Sequence, residues 1–199
     1  MTKKMYTKTT ITEEPRLVIS YDPNGESPRE WSNLGYFITK DSNYRSPDSH
    51  QTLERILSDT GDEADSQKDH IRLLKKAIKE EMGEKVIAIY PITKYEHSGI
   101  SYSLGSQAGF DYSRNGFYII TDRTQKELGT KTKDFEKVIE HELELYNQWC
   151  SGEIYQFTLY DETGEFIDSM SGFYKIEDIK EYLPEEWKKE NLEDYLINE

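Results

Sequence analysis

Only one of the 199 residues is a cysteine, Cys150. An internal disulfide and a cysteine zinc cluster are therefore excluded, and a reducing compartment is expected. No apolar run approaches the ~18–20 residues of a membrane span. The opening residues, Met1 to Tyr6, carry no apolar signal core, so a cytosolic location is expected. HExxH, paired-histidine and CxxC patterns are all missing. Gly105, Gly109 and Gly116 match neither a P-loop nor a dinucleotide fingerprint. No cofactor and no metal ion are expected on these grounds.

Positive charge is scarce in the last third. From Asp134 to Glu199 there are 19 Asp/Glu against 5 Lys/Arg, which accounts for the whole net charge of −14. Residues 1–133 hold 20 charges of each sign. A neutral body with an acidic end has a directional field, suited to steering a basic partner and to repelling nucleic acid. Non-specific nucleic-acid binding is not expected, because it relies on Lys and Arg displacing counterions from phosphates. Apolar residues make up only 35% of the chain, but 13% are aromatic and 15 are Tyr. That ring surface is enough for a core and argues against wholesale disorder.

The polar stretch 1–14 is expected to fray. Arg16–Tyr21 and Tyr36–Thr39 read as strands, with Asp22-Pro-Asn-Gly25 as a turn between them. Gln51 to Ser58 suits a short helix. Ser66 to Met82 is a clearer one. Ile71, Leu74, Ala77, Ile78 and Met82 follow helical spacing, Ser66 is the cap and Gly83 the stop. Its Lys68, Arg72, Lys75, Lys76 and Lys79 read as a solvated face, and His70 in its first turn reads as exposed. Val86–Tyr90 is a continuous apolar strand suited to a central position. Residues 91–115 read as a long connection, followed by a strand at Phe117–Ile120. Asp134 to Cys150 is a second strong helix, with Phe135, Val138, Ile139, Leu145, Tyr146 and Trp149 inward. Ile154–Tyr160 and Phe166–Met170 form a hairpin about Asp161-Glu-Thr-Gly164. The tail holds short acidic helices broken at Pro184.

This order predicts an α+β fold: a largely antiparallel, mixed sheet with the two main helices on one face and an acidic helical tail. A single domain over 15–175 and a tail over 176–199 are expected.

Two groups of residues carry chemical interest. His97 lies in Glu96-His-Ser-Gly99, just after a strong strand, where loops carry function. With Ser98, Arg29 and Glu30 it forms one candidate site, for nucleic-acid or nucleotide chemistry. A structural turn is the other reading of the same string, since neighbours in sequence are not a triad. The second group is acidic. Glu136, Glu140 and Glu144 recur every four residues, about 6 Å apart along a helix axis. Glu177, Asp178, Glu181, Glu185 and Glu186 extend the density through the tail. Such an array imitates a phosphate backbone, although an ordinary solubilising surface has the same pattern. His50 and His141 suggest no site, and Cys150 reads as a small buried residue.

Glu26-Ser-Pro-Arg-Glu-Trp-Ser-Asn-Leu-Gly35 is the most distinctive string. It resembles the SPREWDNLG signature of small proteins encoded by phages, plasmids and integrative elements. Glu96-His-Ser-Gly99 resembles that family's DHSG segment. Tyr146-Asn-Gln-Trp-Cys-Ser-Gly152 with Glu153-Ile-Tyr155 resembles its YDxYxxGxVY, and Asp168-Ser-Met-Ser-Gly-Phe-Tyr174 its DSCWGFYG. Ser32 and Asn147 stand where the family has Asp, and Met170 where it has Cys. The family's HRRYNLGD stretch is not recognisable in Asp41 to Asp48. The resemblance implies a mobile-element origin in a bacterial host more than a reaction. Within the signature, Ser27 reads as a cap, Pro28 as the first helical residue, and Trp31 and Leu34 as core.

Resemblance and charge together lead to an anti-defence protein, most specifically an anti-CRISPR inhibitor. In this reading the acidic face binds a CRISPR effector or another host defence nuclease and blocks guide RNA or DNA. The alternatives are an enzyme acting on nucleic acid or a nucleotide, for example by cleaving guide RNA, with a site around His97, and a non-catalytic accessory protein of mobile-element transfer.

Overall fold

A computed structural model describes residues 16–40, 46–97, 99–105 and 107–197. Residues 1–14 and Ser98 lie outside them. The elements run β1 (Arg16–Tyr21), β2 (Tyr36–Thr39), α1 (Gln51–Glu63), α2 (Gln67–Met82), β3 (Val86–Glu96), β4 (Ile100–Leu104), β5 (Tyr112–Thr121), α3 (Asp122–Leu128), α4 (Phe135–Ser151), β6 (Tyr155–Tyr160) and β7 (Phe166–Phe173). Short 3-10 turns follow at Ile176–Glu181, Trp187–Lys189 and Leu192–Tyr195. The fold is α+β, and every paired strand is antiparallel.

The chain divides into two units, Ser27–Ser151 and the joined ends Met1–Glu26 with Gly152–Glu199. The sequence alone suggested one domain over 15–175 with a separate tail, and one sheet. The strands instead form two sheets, ordered β2-β5-β3-β4 and β1-β6-β7.

In the Ser27–Ser151 unit, helices cover both faces of the sheet. Alternate residues of a strand point to opposite faces. Ile38, Phe117 and Ile119 pack with Leu53, Ile56 and Leu57 of α1 and with Leu74 and Ile78 of α2. Their neighbours Phe37, Tyr118 and Ile120 pack with Phe135, Ile139, Leu143 and Tyr146 of α4. The expectation that both main helices share a face is therefore corrected. The physical reason is visible in β5, where Phe117-Tyr-Ile-Ile120 is apolar on both sides and buried throughout. Burying Phe135, Ile139 and Leu143 stabilises the packing by about 1.5–3 kcal/mol each.

Local signals set the helix ends. The His50 ring accepts the Leu53 N–H at 3.3 Å, and the Ser66 hydroxyl accepts that of Asp69 at 3.2 Å. Gly83 ends α2 at φ 71°, where a side chain would be strained. His70 is half-buried rather than exposed, 3.1 Å from the Thr60 hydroxyl and edge-on to Phe117. Burial pulls its pKa down. The α2 lysines and Arg72 are exposed, as expected.

In the other unit, Leu17, Ile19, Phe157, Leu159 and Phe173 form one side of a core. The tail closes it with Ile176, Ile179, Leu183, Trp187 and Leu192. The tail is therefore a core element with an acidic exterior, made of 3-10 turns. It also covers the edge of β1, since the Ile197 N–H bonds the Ile19 carbonyl at 2.9 Å.

Candidate functional site

The 26–35 segment forms one wall of a cavity in the Ser27–Ser151 unit. Ser27 caps a 3-10 turn at Pro28–Glu30, accepting the Arg29 N–H at 3.3 Å. The Asn33 amide folds back onto the turn, donating to the carbonyls of Pro28 at 3.0 Å and Trp31 at 2.7 Å. Gly35 has no room for a side chain, because a Cβ would sit 2.4 Å from the Ile119 carbonyl oxygen. Leu34 is fully buried, whereas Trp31 is 44% exposed and not part of the core as its sequence position suggested.

Arg29 organises this wall. Its side chain is 3% exposed. Nε donates to Asp48 at 2.7 Å, and one terminal nitrogen to Asp48 and the Gly35 carbonyl, both at 2.8 Å. The other donates to Glu142 at 2.8 Å and to Asn33 at 3.0 Å. All five N–H donors are committed. The Phe37 and Tyr118 rings flank the guanidinium carbon at 5.9 and 5.5 Å. Burial pulls the Arg29 pKa down, but the Asp48 bond and the charges of Asp48 and Glu142 more than reverse it, so the cation is locked on.

Each carboxylate also secures backbone. Asp48 accepts the Phe37 N–H at 2.6 Å, and Glu142 accepts the Leu34 N–H at 2.8 Å. Glu142 also accepts the Tyr118 hydroxyl, whose own pKa is raised by burial and by Glu142. Asn147 holds the β4 edge by accepting the Tyr102 N–H at 2.8 Å and donating to its carbonyl at 2.9 Å.

The cavity measures about 1070 Å³ and its lining includes Glu30, Trp31, Tyr36, Asp48, His50, Tyr102, Arg123, Glu127, Tyr146, Trp149 and Cys150. Trp149 stacks on Tyr146 at 5.7 Å and 22°. It was expected to point inward and is 37% exposed. Burial and Glu84 push Tyr36 up to about 12. Burial pushes the Cys150 thiol up to about 11, which keeps it protonated and a poor nucleophile near neutral pH.

The sequence-derived candidates fare differently. Arg29 and Glu30 line the cavity, but His97 does not. The His97 side chain is 68% exposed and stands 3.7 Å from Asp111. Ser98 lies outside the described residues. The structure therefore does not gather Arg29, Glu30 and His97 into one catalytic set. Glu136, Glu140 and Glu144 are all exposed along the outer side of α4. Glu144 stands 3.6 Å from His141. Glu177, Asp178, Glu181, Glu185 and Glu186 are exposed too, but belong to the other unit. Glu185 pairs with Lys188 at 2.7 Å.

Sequence reasoning missed Glu142 and Asp48. A signal existed for Glu142. It lies three residues after Ile139 and four before Tyr146, on the apolar side of a helix, where a carboxylate needs a buried partner. Asp48 offered none.

Among the described residues, no group of three or more His, Cys, Asp and Glu is placed to hold a metal ion. Among them, no helix is long and apolar enough to cross a membrane. Comparison with protein families, curated proteins and solved structures finds no match.

Proposed function

We propose that this chain is a mobile-element anti-defence protein that binds a nucleic-acid-processing effector, most specifically a CRISPR effector, and blocks guide RNA or DNA binding. The observation that carries this reading is the row Glu136, Glu140 and Glu144. These carboxylates are exposed along α4 while Glu142, on the same helix, is taken up by the fold. A row of carboxylates spaced about 6 Å apart offers a basic cleft the charge pattern of a nucleic-acid strand. The tail carboxylates of the other unit add to the steering field. The resemblance of the 26–35 string to mobile-element proteins supports the biological setting. Its Arg29 network has a structural role in this reading, fixing the wall against which α4 packs.

The test is a titration against a reconstituted CRISPR effector cleaving its target DNA, with guide RNA followed on a gel. Cleavage should be lost near one protein per effector, with RNA intact and with weaker inhibition at high salt. Loss at far lower ratios with shortened RNA would instead identify a guide-cleaving enzyme. No effect at any ratio would remove CRISPR effectors as the target.

A further inference from the structure

The cavity of the Ser27–Ser151 unit is separate in chemistry from the outer row of α4, and its occupant does not depend on the function proposed above. We infer that it binds an organic cation, a guanidinium or alkylated ammonium head, between the exposed indoles of Trp31 and Trp149 and the carboxylates that share their cavity.

Three observations carry this. The first is charge. The lining holds two guanidinium groups, Arg29 and Arg123, against three carboxylates, Glu30, Asp48 and Glu127. Arg29 has no donor left for a ligand, because all five N–H groups are bonded within the protein. Arg123 is shared by Glu127 at 3.1 Å and Glu84 at 3.4 Å. An anion entering here meets surplus negative charge, and a cation meets complementary charge.

The second is the ring surface. Trp31 and Trp149 remain 44% and 37% exposed, although large apolar groups in a folded chain usually bury more. Indole faces attract cations more strongly than other aromatic side chains. Tyr36 and Tyr102 line the same space.

The third is preorganisation. Trp31 sits on a turn held by the Ser27 cap and by the Asn33 amide bonded to its own carbonyl. Trp149 is held by its stack on Tyr146. The Trp31 backbone and the Trp149 ring are thus fixed before a ligand arrives, which lowers the ordering cost of binding. At about 1070 Å³ the cavity can take the cationic head and the chain that carries it.

The head group can come from a free amine or guanidine, or from an Arg or methylated Lys side chain of a protein. Calorimetric titration of the full chain with free arginine, tetramethylammonium, an acetylated Gly-Arg-Gly peptide and AMP separates these. A Kd of about 1 mM or tighter is expected for at least one of the cations. Affinity should fall about tenfold in Trp31→Ala and in Trp149→Ala, with Trp31→Phe retaining part of it. Trp31 is outside the core, so its variant keeps the fold, checked by circular dichroism, even if Trp149→Ala does not. Tighter binding of the peptide than of arginine assigns a protein side chain as the source, and equal binding a free small molecule. AMP binding in preference to every cation, cation binding unchanged in Trp31→Ala, or no binding by any cation overturns the inference.

Discussion

On the inner side of α4, Glu142 accepts hydrogen bonds from Arg29, Tyr118 and the Leu34 backbone. On the outer side, Glu136, Glu140 and Glu144 face solvent. The residue type is the same and the positions are a few residues apart, but the roles are opposite. The inner carboxylate is consumed by the fold. Removing it would leave a buried guanidinium short of a partner. The outer ones contribute little to stability, since exposed charges in water are weakly coupled. Carboxylates that the fold does not need are the ones available to a partner.

Breaking the inner side should have the largest effect. Arg29→Ala leaves the partly buried Asp48 and Glu142 without their cation, and should cost about 3–5 kcal/mol in urea unfolding. Arg29→Lys should not restore it, because an ammonium lacks the planar fork that meets Asp48, Glu142, Asn33 and the Gly35 carbonyl together. A loss below about 1 kcal/mol would show that the network is not what fixes the 26–35 segment.

Asn147 sharpens the comparison at the end of the same helix. Its amide both accepts from and donates to the Tyr102 backbone. Asn147→Asp keeps the acceptor but loses the donor at neutral pH, and should cost about 1–3 kcal/mol by removing the bond to the Tyr102 carbonyl. Equal unfolding midpoints for the two proteins would remove this clamp from the account.

Cys150 gives a pH dependence. Burial raises its thiol from 9.0 to about 11, so the folded state holds the proton more tightly than the unfolded one. The stability this brings is complete below pH 9 and is lost as the pH climbs towards 11. Alkylation by iodoacetamide should accordingly be slow at pH 8 in the folded protein and faster once it is unfolded in urea. Equal rates would mean that the thiol is open to solvent.

The helices were largely legible in the sequence. The apolar spacing of Ile71, Leu74 and Ile78 and of Phe135, Ile139 and Tyr146 placed α2 and α4 within a residue of their observed ends. β4 was hidden inside residues 91–115, although Ile100, Tyr102 and Leu104 alternate with serines as a half-buried strand does. α3 was missed because its seven residues carry no apolar stripe. Its signal is the reciprocal cap between Thr121 and Thr124. The division into two units was not legible, since β1 pairs with β6 across more than a hundred residues and no linker composition marks the boundary. The Arg29 network was invisible for a similar reason. Its carboxylate partners lie 19 and 113 positions away, and nothing local ties an arginine to either. The outer acidic row was legible because helical period alone sets it.

The smallest stability effect belongs to that outer row, and it tests the central claim most directly. Glu136→Lys, Glu140→Lys and Glu144→Lys are combined in one protein, and its unfolding midpoint and its inhibition of a reconstituted CRISPR effector are measured side by side. The account predicts a stability change within about 0.5 kcal/mol per substitution and loss of inhibition. Inhibition that survives in a folded triple variant would contradict it.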